Sequence, residues 1–311
     1  MTDVVVIGGG IVGVSTALHL AEAGVAVTVV ERRGIAAEAS GVNGGIVGRW
    51  RLVEPGGAAG ADTELGTGGI AFYRRLAEER GFDIGLQPTG SLTVIRTEAD
   101  LGWVQGHELV NAELLDISAA REIEPALDPN LAGAVWAPDS VSAEPAAAVE
   151  AAAEEAARLG ARFEIGRPVI AIRRVGNGFE VEIDGTVLTA DTVAITAGPW
   201  SGEVARLLDP GLDVPVLGVK GQMWATAPVP RAFGTAISSV ESLRHWATQP
   251  VANPPNLTHD GENRLTRHLY GRQRPNGEIV FGGDRRLYDG ERVVDDEGIA
   301  VNFSQAAEIL P

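Results

Sequence analysis

The chain opens on a short polar lead and then Val4-Val5-Val6-Ile7, an unbroken apolar run. Such a run reads as a strand buried on both faces, because a half-exposed strand would alternate with polar positions. Gly8-Gly9-Gly10 follows at once. Ile11, Val12, Val14, Ala17, Leu18 and Ala21 then recur at helical spacing and form a wide apolar stripe, with Gly24 placed to end the helix. Ala26 to Val30 predicts a second strand, with Glu31 at its end. Strand, turn, helix and strand within about thirty residues make a βαβ unit.

Further along, Thr89 to Ile95 reads as a turn and a strand, and the alanine-rich stretch Ala146 to Leu159 as a helix by propensity. From Phe163 the period falls to two. Val169 to Arg173, Phe179 to Ile183 and Thr186 to Leu188, parted by Gly176-Asn177-Gly178 and Asp184-Gly185, predict a three-stranded meander. Thr192 to Ile195 is another buried strand, ending in Thr196-Ala197-Gly198-Pro199-Trp200-Ser201. Pro215 to Thr226 reads as a strand, Ser238 to Arg267 as loop-rich, and His268 to Arg274 and Glu278 to Gly283 as a hairpin about Pro275-Asn276-Gly277. Phe303 to Leu310 closes the sequence as a helix.

Composition narrows the chemistry. The 311 residues carry 25 basic and 42 acidic side chains, a net charge of −17, which argues against a nucleic-acid partner. There is no cysteine, so disulfides, zinc–thiolate sites, iron–sulfur clusters and cysteine nucleophiles are excluded. The five histidines show no metal-ligand spacing, and no GxSxG elbow or Walker A loop occurs. No stretch is long and apolar enough for a membrane span, and the start has no basic region or cleavage site, so the expectation is a cytoplasmic protein. The 40 glycines exceed the roughly 22 that average usage gives.

Some of that glycine has a specific use. Gly8-x-Gly10-x-x-Gly13 falls at the strand-to-helix turn. The first glycine makes the tight turn, the second lets backbone approach a pyrophosphate, and the third lets helix and strand pack closely. The helix N-terminus offers N–H groups and a positive dipole end to the phosphates. Glu31, eighteen residues past Gly13, can accept from a ribose diol; alone it could equally be a solvated carboxylate at a strand end. NAD and FAD both use this unit. The small, glycine-rich stretch Ala39-Ser40-Gly41-Val42-Asn43-Gly44-Gly45 can wrap a planar ring and offers Ser40 and Asn43 for hydrogen bonds, or is a surface loop. In the late hairpin, alternation puts His268, Tyr270, Arg272 and Arg274 on one face, toward either solvent or a polar cavity.

The opening VVVIGGGIVGVSTALHLAEAGVAVTVVER followed by ASGVNGG resembles the FAD-dependent amine and amino-acid oxidoreductases of the D-amino-acid oxidase superfamily. The glycine-oxidase, sarcosine-oxidase and D-amino-acid-dehydrogenase branches are the most similar. The strand beginning Thr89-Gly90-Ser91-Leu92, the Ala197-Gly198-Pro199-Trp200-Ser201 turn and the late hairpin match further family motifs, and Ala119 to Leu127 and Gly133 to Pro145 match a linker. The resemblance implies an α/β fold: a Rossmann-type FAD domain with a parallel sheet, from 1–81 and 141–213, and an α+β substrate domain with an antiparallel sheet, from 82–140 and 214–311. It implies cofactor contacts at Gly8, Gly10, Ile11, Val12, Gly13, Glu31, Arg32, Ser40, Asn43, Gly44, Gly45, Val169, Ala197, Gly198 and Trp200, although Val169 and Trp200 are also ordinary core residues. FAD is expected to be noncovalent, since neither His nor Cys lies between Gly34 and Gly48. It places Tyr270 above the flavin, assisted by His268 or Arg272, and implies hydride transfer from the carbon beside nitrogen of a small amine or amino acid, with oxygen or a quinone as acceptor.

The family continues beyond the helix Phe303 to Leu310 with an arginine that binds substrate carboxylate and a glycine-rich turn near the flavin. A sequence ending at Pro311 implies either a longer protein or an open site. Two other readings accompany the enzyme: an FAD-fold subunit without turnover, and a nicotinamide-dependent dehydrogenase on the same crossover.

Overall fold

The computed structural model describes residues 3–57, 60–247, 268–288, 290 and 293–311. The chain divides into two compact units. The first comprises Met1–Asn43, Arg80–Ile84 and Glu144–Gly218, the second Gly44–Glu79, Gly85–Ala143 and Val219–Pro311.

In the first unit a four-stranded, wholly parallel sheet runs in the order Arg162–Ile165, Val27–Glu31, Val4–Ile7, Thr192–Ile195. The apolar run Val4–Ile7 is central and covered on both faces. Val5 and Ile7, with Val30, pack on Ile172, Val181 and Ile183 of the antiparallel meander Val169–Val175, Gly178–Ile183 and Thr186–Ala190. Alternation turns Val6 and Val29, both 0% exposed, to the opposite face. There the helices Ile11–Glu22 and Pro145–Arg158 pack together. Their buried positions are small or branched (Val14, Ala17, Leu18; Ala148, Ala152, Ala156), which allows close approach. Pro145 begins its helix where a missing N–H costs nothing.

The second unit is built on a seven-stranded sheet in the order Val219–Ala225, Ile279–Leu287, Tyr270–Gln273, Ala236–Ser239, Ser91–Ile95, Gly133–Ala137, Glu113–Leu115. All neighbours are antiparallel except Ala236–Ser239 beside Ser91–Ile95. One face carries Leu92, Val94, Ile237, Leu269 and Phe281 against Ala306 and Ile309 of the helix Asp296–Ile309. Trp224 stacks on Phe281 at 5.6 Å and donates its indole N–H to Asn302 Oδ1 at 2.8 Å. Alternation sends Thr93, Ser238 and Tyr270 to the other face, where Thr93 and Ser238 share a hydrogen bond of 2.8 Å.

The expected α/β fold with a parallel and a largely antiparallel sheet is therefore present, and three local readings are corrected. Residues 44–79, read as part of the nucleotide domain, belong to the second unit, because Ile46–Val47 pairs with Val141–Ser142 and Arg51–Val53 with Glu108–Val110. Gly133 to Pro145, read as linker, contains a strand inside the large sheet, Gly133–Ala137. Ser238 to Arg267, read as loop-rich, begins with the end of the strand Ala236–Ser239 and the helix Val240–Ala247; residues 248–267 lie outside the described residues. No helix among the described residues is long and apolar enough to cross a membrane, and none of their side chains cluster as a metal site.

Candidate active site

The first unit shapes its glycine turn by contact with backbone. Gly8 has φ +122°, and a Cβ there would lie 2.5 Å from the Thr196 carbonyl oxygen. A Cβ on Gly13 would run into the Gly8 carbonyl and stand 2.6 Å from Thr196 Oγ1. Only hydrogen fits at either position. The helix Ile11–Glu22 starts from Gly10, which offers no side-chain cap, and has no acidic residue in its first turn. Its positive end is thus left for an anion. Glu31 folds over the turn. Its Oε2 accepts from Gly9 N at 2.7 Å and its Oε1 from Arg33 N at 2.7 Å.

Ser40 and Asn43 act inside this cradle. Ser40 Oγ accepts the N–H of Ile11 at 3.0 Å, and Asn43 Nδ2 donates to the carbonyls of Ala39 and Ser40. The loop is thereby fastened to the helix start. Val12 is 62% exposed, an apolar residue left uncovered at the first turn. Ala197 precedes the short turn Gly198–Trp200, and the Arg32 guanidinium lies 3.9 Å over the Trp200 ring. That cation–π contact uses Trp200 partly exposed rather than as a core plug. Val169 begins the meander and packs on its core.

The second unit holds a cavity of about 820 Å³. Its walls include Trp50, Trp103, Leu243, Ser238, Ser239, His268, Tyr270 and Arg285. His268 and Tyr270 meet edge to face at 5.0 Å between ring centres. Burial, aided by the Arg285 guanidinium, pushes the His268 imidazole down to about 3, so it is neutral near pH 7. The Arg285 guanidinium is 5.9 Å from the Tyr270 ring centre. At the cavity edge His107 Nε2 is 3.5 Å from Glu54.

Of the three side chains expected at the substrate, the structure brings His268 and Tyr270 into this cavity and leaves Arg272 out of its lining. Arg272 is 3% exposed. Nε donates to Gly44 O, Nη1 to Gln87 Oε1 and Nη2 to Ala143 O, each at 2.8 Å. Its polar face is matched by backbone and amide acceptors, so the arginine is a positioning residue. What it positions is the Gly44-Gly45 stretch. A Cβ on Gly44 would strike the Tyr270 ring, and one on Gly45, where φ is +69°, would strike the Ala143 carbonyl. Arg274 pairs with Glu278 across the hairpin turn at 2.8 Å. Sequence reasoning missed Trp50, Trp103, the serines and Arg285. Only Arg285 had a local signal, since it lies on the hairpin strand that pairs with Tyr270.

A parallel crossover with a glycine turn that excludes any Cβ, a helix start free of acidic residues and an acid closing over it define a dinucleotide-binding fold. The particular family follows from comparison. The family model for FAD-dependent oxidoreductases (DAO) matches residues 3–311, and the chain belongs to that family. It is 28% identical to a glycine oxidase of Bacillus licheniformis over 99% of this chain and 76% of that protein. It is 32% identical to a glycine oxidase of Pseudomonas putida over 71% of this chain, and spans 61% of that relative. The crystal structure of glycine oxidase from Bacillus cereus superposes with a TM-score of 0.76 at 25% identity, covering 100% of this chain and 78% of that one. FAD is accordingly the cofactor, and the nicotinamide-dependent reading is set aside. The first unit's geometry fits the ADP part of FAD: the glycines leave room for it, the helix start carries no acidic residue that would repel phosphates, and Glu31 lies at the turn where a ribose would sit.

Proposed function

We propose that the protein oxidises the C–N bond of a small amine or amino acid, with FAD held noncovalently by the first unit and the substrate in the cavity of the second. The observation that carries this reading is the pairing of Tyr270 with a neutral His268 in a largely apolar cavity beside Gly44 and Gly45. FAD, when bound, supplies a ring that accepts hydride. The chain's residues do the rest. Gly8, Gly10 and Gly13 shape the turn, the Ile11 N–H is fastened to Ser40, and the first-turn N–H of Val12 serves the diphosphate. Glu31 takes the ribose, with Arg32, Val169, Ala197, Gly198 and Trp200 along the remainder of the nucleotide. Ser40 and Asn43 of the same unit would lie along the flavin.

Tyr270 orients the substrate nitrogen and covers it. His268, too weak a base to deprotonate an ammonium, contributes shape and a neutral hydrogen-bonding edge. The amine therefore reacts unprotonated, and the cavity's apolar walls favour that form. Loss of hydride from carbon and a proton from nitrogen leaves an imine, which water converts to a carbonyl compound and the free amine or ammonia. The two electrons pass on to oxygen or a quinone-type acceptor.

The test is anaerobic addition of glycine, sarcosine, proline and D-amino acids to the FAD-loaded protein while the visible flavin spectrum is followed. At least one should bleach the yellow colour. If none does and dithionite still bleaches it, the amine-oxidising role is wrong.

A further inference from the structure

The row of register partners that starts at Tyr270 changes character as it crosses the large sheet. Tyr270 stands beside Ser238, Ser238 beside Thr93, Thr93 beside Val135 and Val135 beside Leu114. Register partners in neighbouring strands share a face, so one surface runs from a phenol through two hydroxyls to aliphatic carbon. The two hydroxyls satisfy each other at 2.8 Å. Beyond them the apolar end is built up. Trp50, Leu52, Trp103 and Leu243 line the cavity and pack on a buried cluster that includes Ile95 and Val135. Val135 is three strand spacings from Tyr270, about 14 Å in all. Trp103 is fixed in place by His107, whose ring lies 4.7 Å from it between centres and whose Nδ1 donates to the Trp103 carbonyl at 2.7 Å.

We propose that the far end of this cavity is a subsite for an aromatic or long aliphatic tail of the substrate, with Trp50, Trp103 and Leu243 as its specificity-determining walls. This rests on the reading that the amine reacts beside Tyr270. A cavity of about 820 Å³ is in the range that encloses ligands much larger than glycine, about 300–1,000 Å³. A glycine-sized molecule beside Tyr270 would leave water against the indoles and Leu243, and displacing that water by a ring or alkyl chain is favourable. All three walls are half-buried, so each has apolar surface left to cover. The distance across the sheet sets the shape of the substrate: a tail joined to the reacting carbon by a short linker.

The experiment measures binding of 1-butanol, 1-hexanol and 2-phenylethanol to FAD-loaded protein by calorimetry, since these alcohols carry a tail without an oxidisable amine. Affinity should rise about tenfold from butanol to hexanol, at roughly fourfold per methylene. W103A should weaken 2-phenylethanol about tenfold or more, with W103F between the two. A gain from butanol to hexanol of less than about twofold overturns the subsite, as does a loss in W103A of less than about threefold. Should W103A fail to hold FAD, Leu243→Ala reads the same wall, and an unchanged affinity for 2-phenylethanol there overturns the proposal. The companion readout is flavin reduction by 2-phenylethylamine against ethylamine. The wild type should prefer the former about tenfold or more in kcat/KM, and W103A should lose most of that preference. Tail-dependent binding of the alcohols while no amine bleaches the flavin would strike the proposed activity and leave the subsite standing. Bleaching that is as efficient with ethylamine as with 2-phenylethylamine would leave the activity and strike the subsite.

Discussion

Replacing Gly13 by alanine tests the nucleotide cradle where it is least able to adapt. The new methyl meets the Gly8 carbonyl and stands 2.6 Å from Thr196 Oγ1. Neither neighbour is free to yield. Gly8 donates its N–H to Val30 O at 2.9 Å, and Thr196 donates both its N–H and its hydroxyl to Ile7 O, each at 2.9 Å. Alanine gains about 1 kcal/mol over glycine inside a helix. Forcing a methyl into filled space costs about 1–3 kcal/mol, and the upper end applies when the obstacle is backbone. The apoprotein should lose about 1–2 kcal/mol net in urea unfolding. The carbonyl that must shift belongs to the phosphate-facing turn, so the Kd for FAD, read from flavin fluorescence on titrating apoprotein, should rise at least about tenfold, or about 1.4 kcal/mol. Gly102→Ala is the matched control. It lies in the helix Glu98–Gln105, where an added Cβ would meet nothing within 4 Å, so the same change should stabilise by about 0.5–1 kcal/mol. A Gly13→Ala protein with wild-type stability and wild-type FAD affinity would refute the close-packing argument.

Glu31→Gln leaves one acceptor where two oxygens now serve Gly9 and Arg33, and should weaken FAD roughly tenfold by the same titration; a change under about twofold removes Glu31 from the ribose. Gly44→Ala drives a methyl against the Tyr270 ring, and stopped-flow reduction at saturating FAD should slow by about tenfold or more, whereas an unchanged rate would detach that ring from the chemistry. His268 titrates near 3 when folded and near 6.5 when unfolded, so the unfolded chain binds more protons between those values. Its contribution is complete above pH 6.5 and is lost as pH falls toward 3, at up to about 1.4 kcal/mol per pH unit. His268→Asn should flatten that slope in urea melts run at a series of pH values, and a parallel dependence in both proteins would count against a neutral buried imidazole.

The crossover was legible because everything that makes it is local. A four-residue apolar run, three glycines, a helical stripe and a strand-end acid follow one another within the first 31 residues. The cavity is a different kind of object. Its wall draws on Trp50, Trp103, Ser238, Tyr270 and Arg285, brought together by the order of a seven-stranded sheet. No spacing along the chain encodes that neighbourhood. The helix Val240–Ala247 was hidden for a related reason. Glu241 is buried beside Arg96, and the exposed Arg244 pairs with the buried Asp100 at 2.8 Å, so charges that read as solvated loop belong to pairs with distant partners. Residues 44–79 went to the wrong unit because two- and three-residue strands such as Ile46–Val47 and Arg51–Val53 are too short to show a period.

Alternation along the late hairpin strand correctly set His268, Tyr270 and Arg272 apart from Leu269, but it could not say what each would do. A polar strand face must be wetted, paired or turned to a ligand. Arg272 is paired: its donors reach two carbonyls and an amide, and the charge serves to hold Gly44 against Tyr270. His268 gives up its charge to burial and to the nearby Arg285. Arg285 lines the cavity with its guanidinium 5.9 Å from the Tyr270 ring centre. Saturation of its donors, rather than strand face or residue type, makes Arg272 a support of the Gly44-Gly45 stretch.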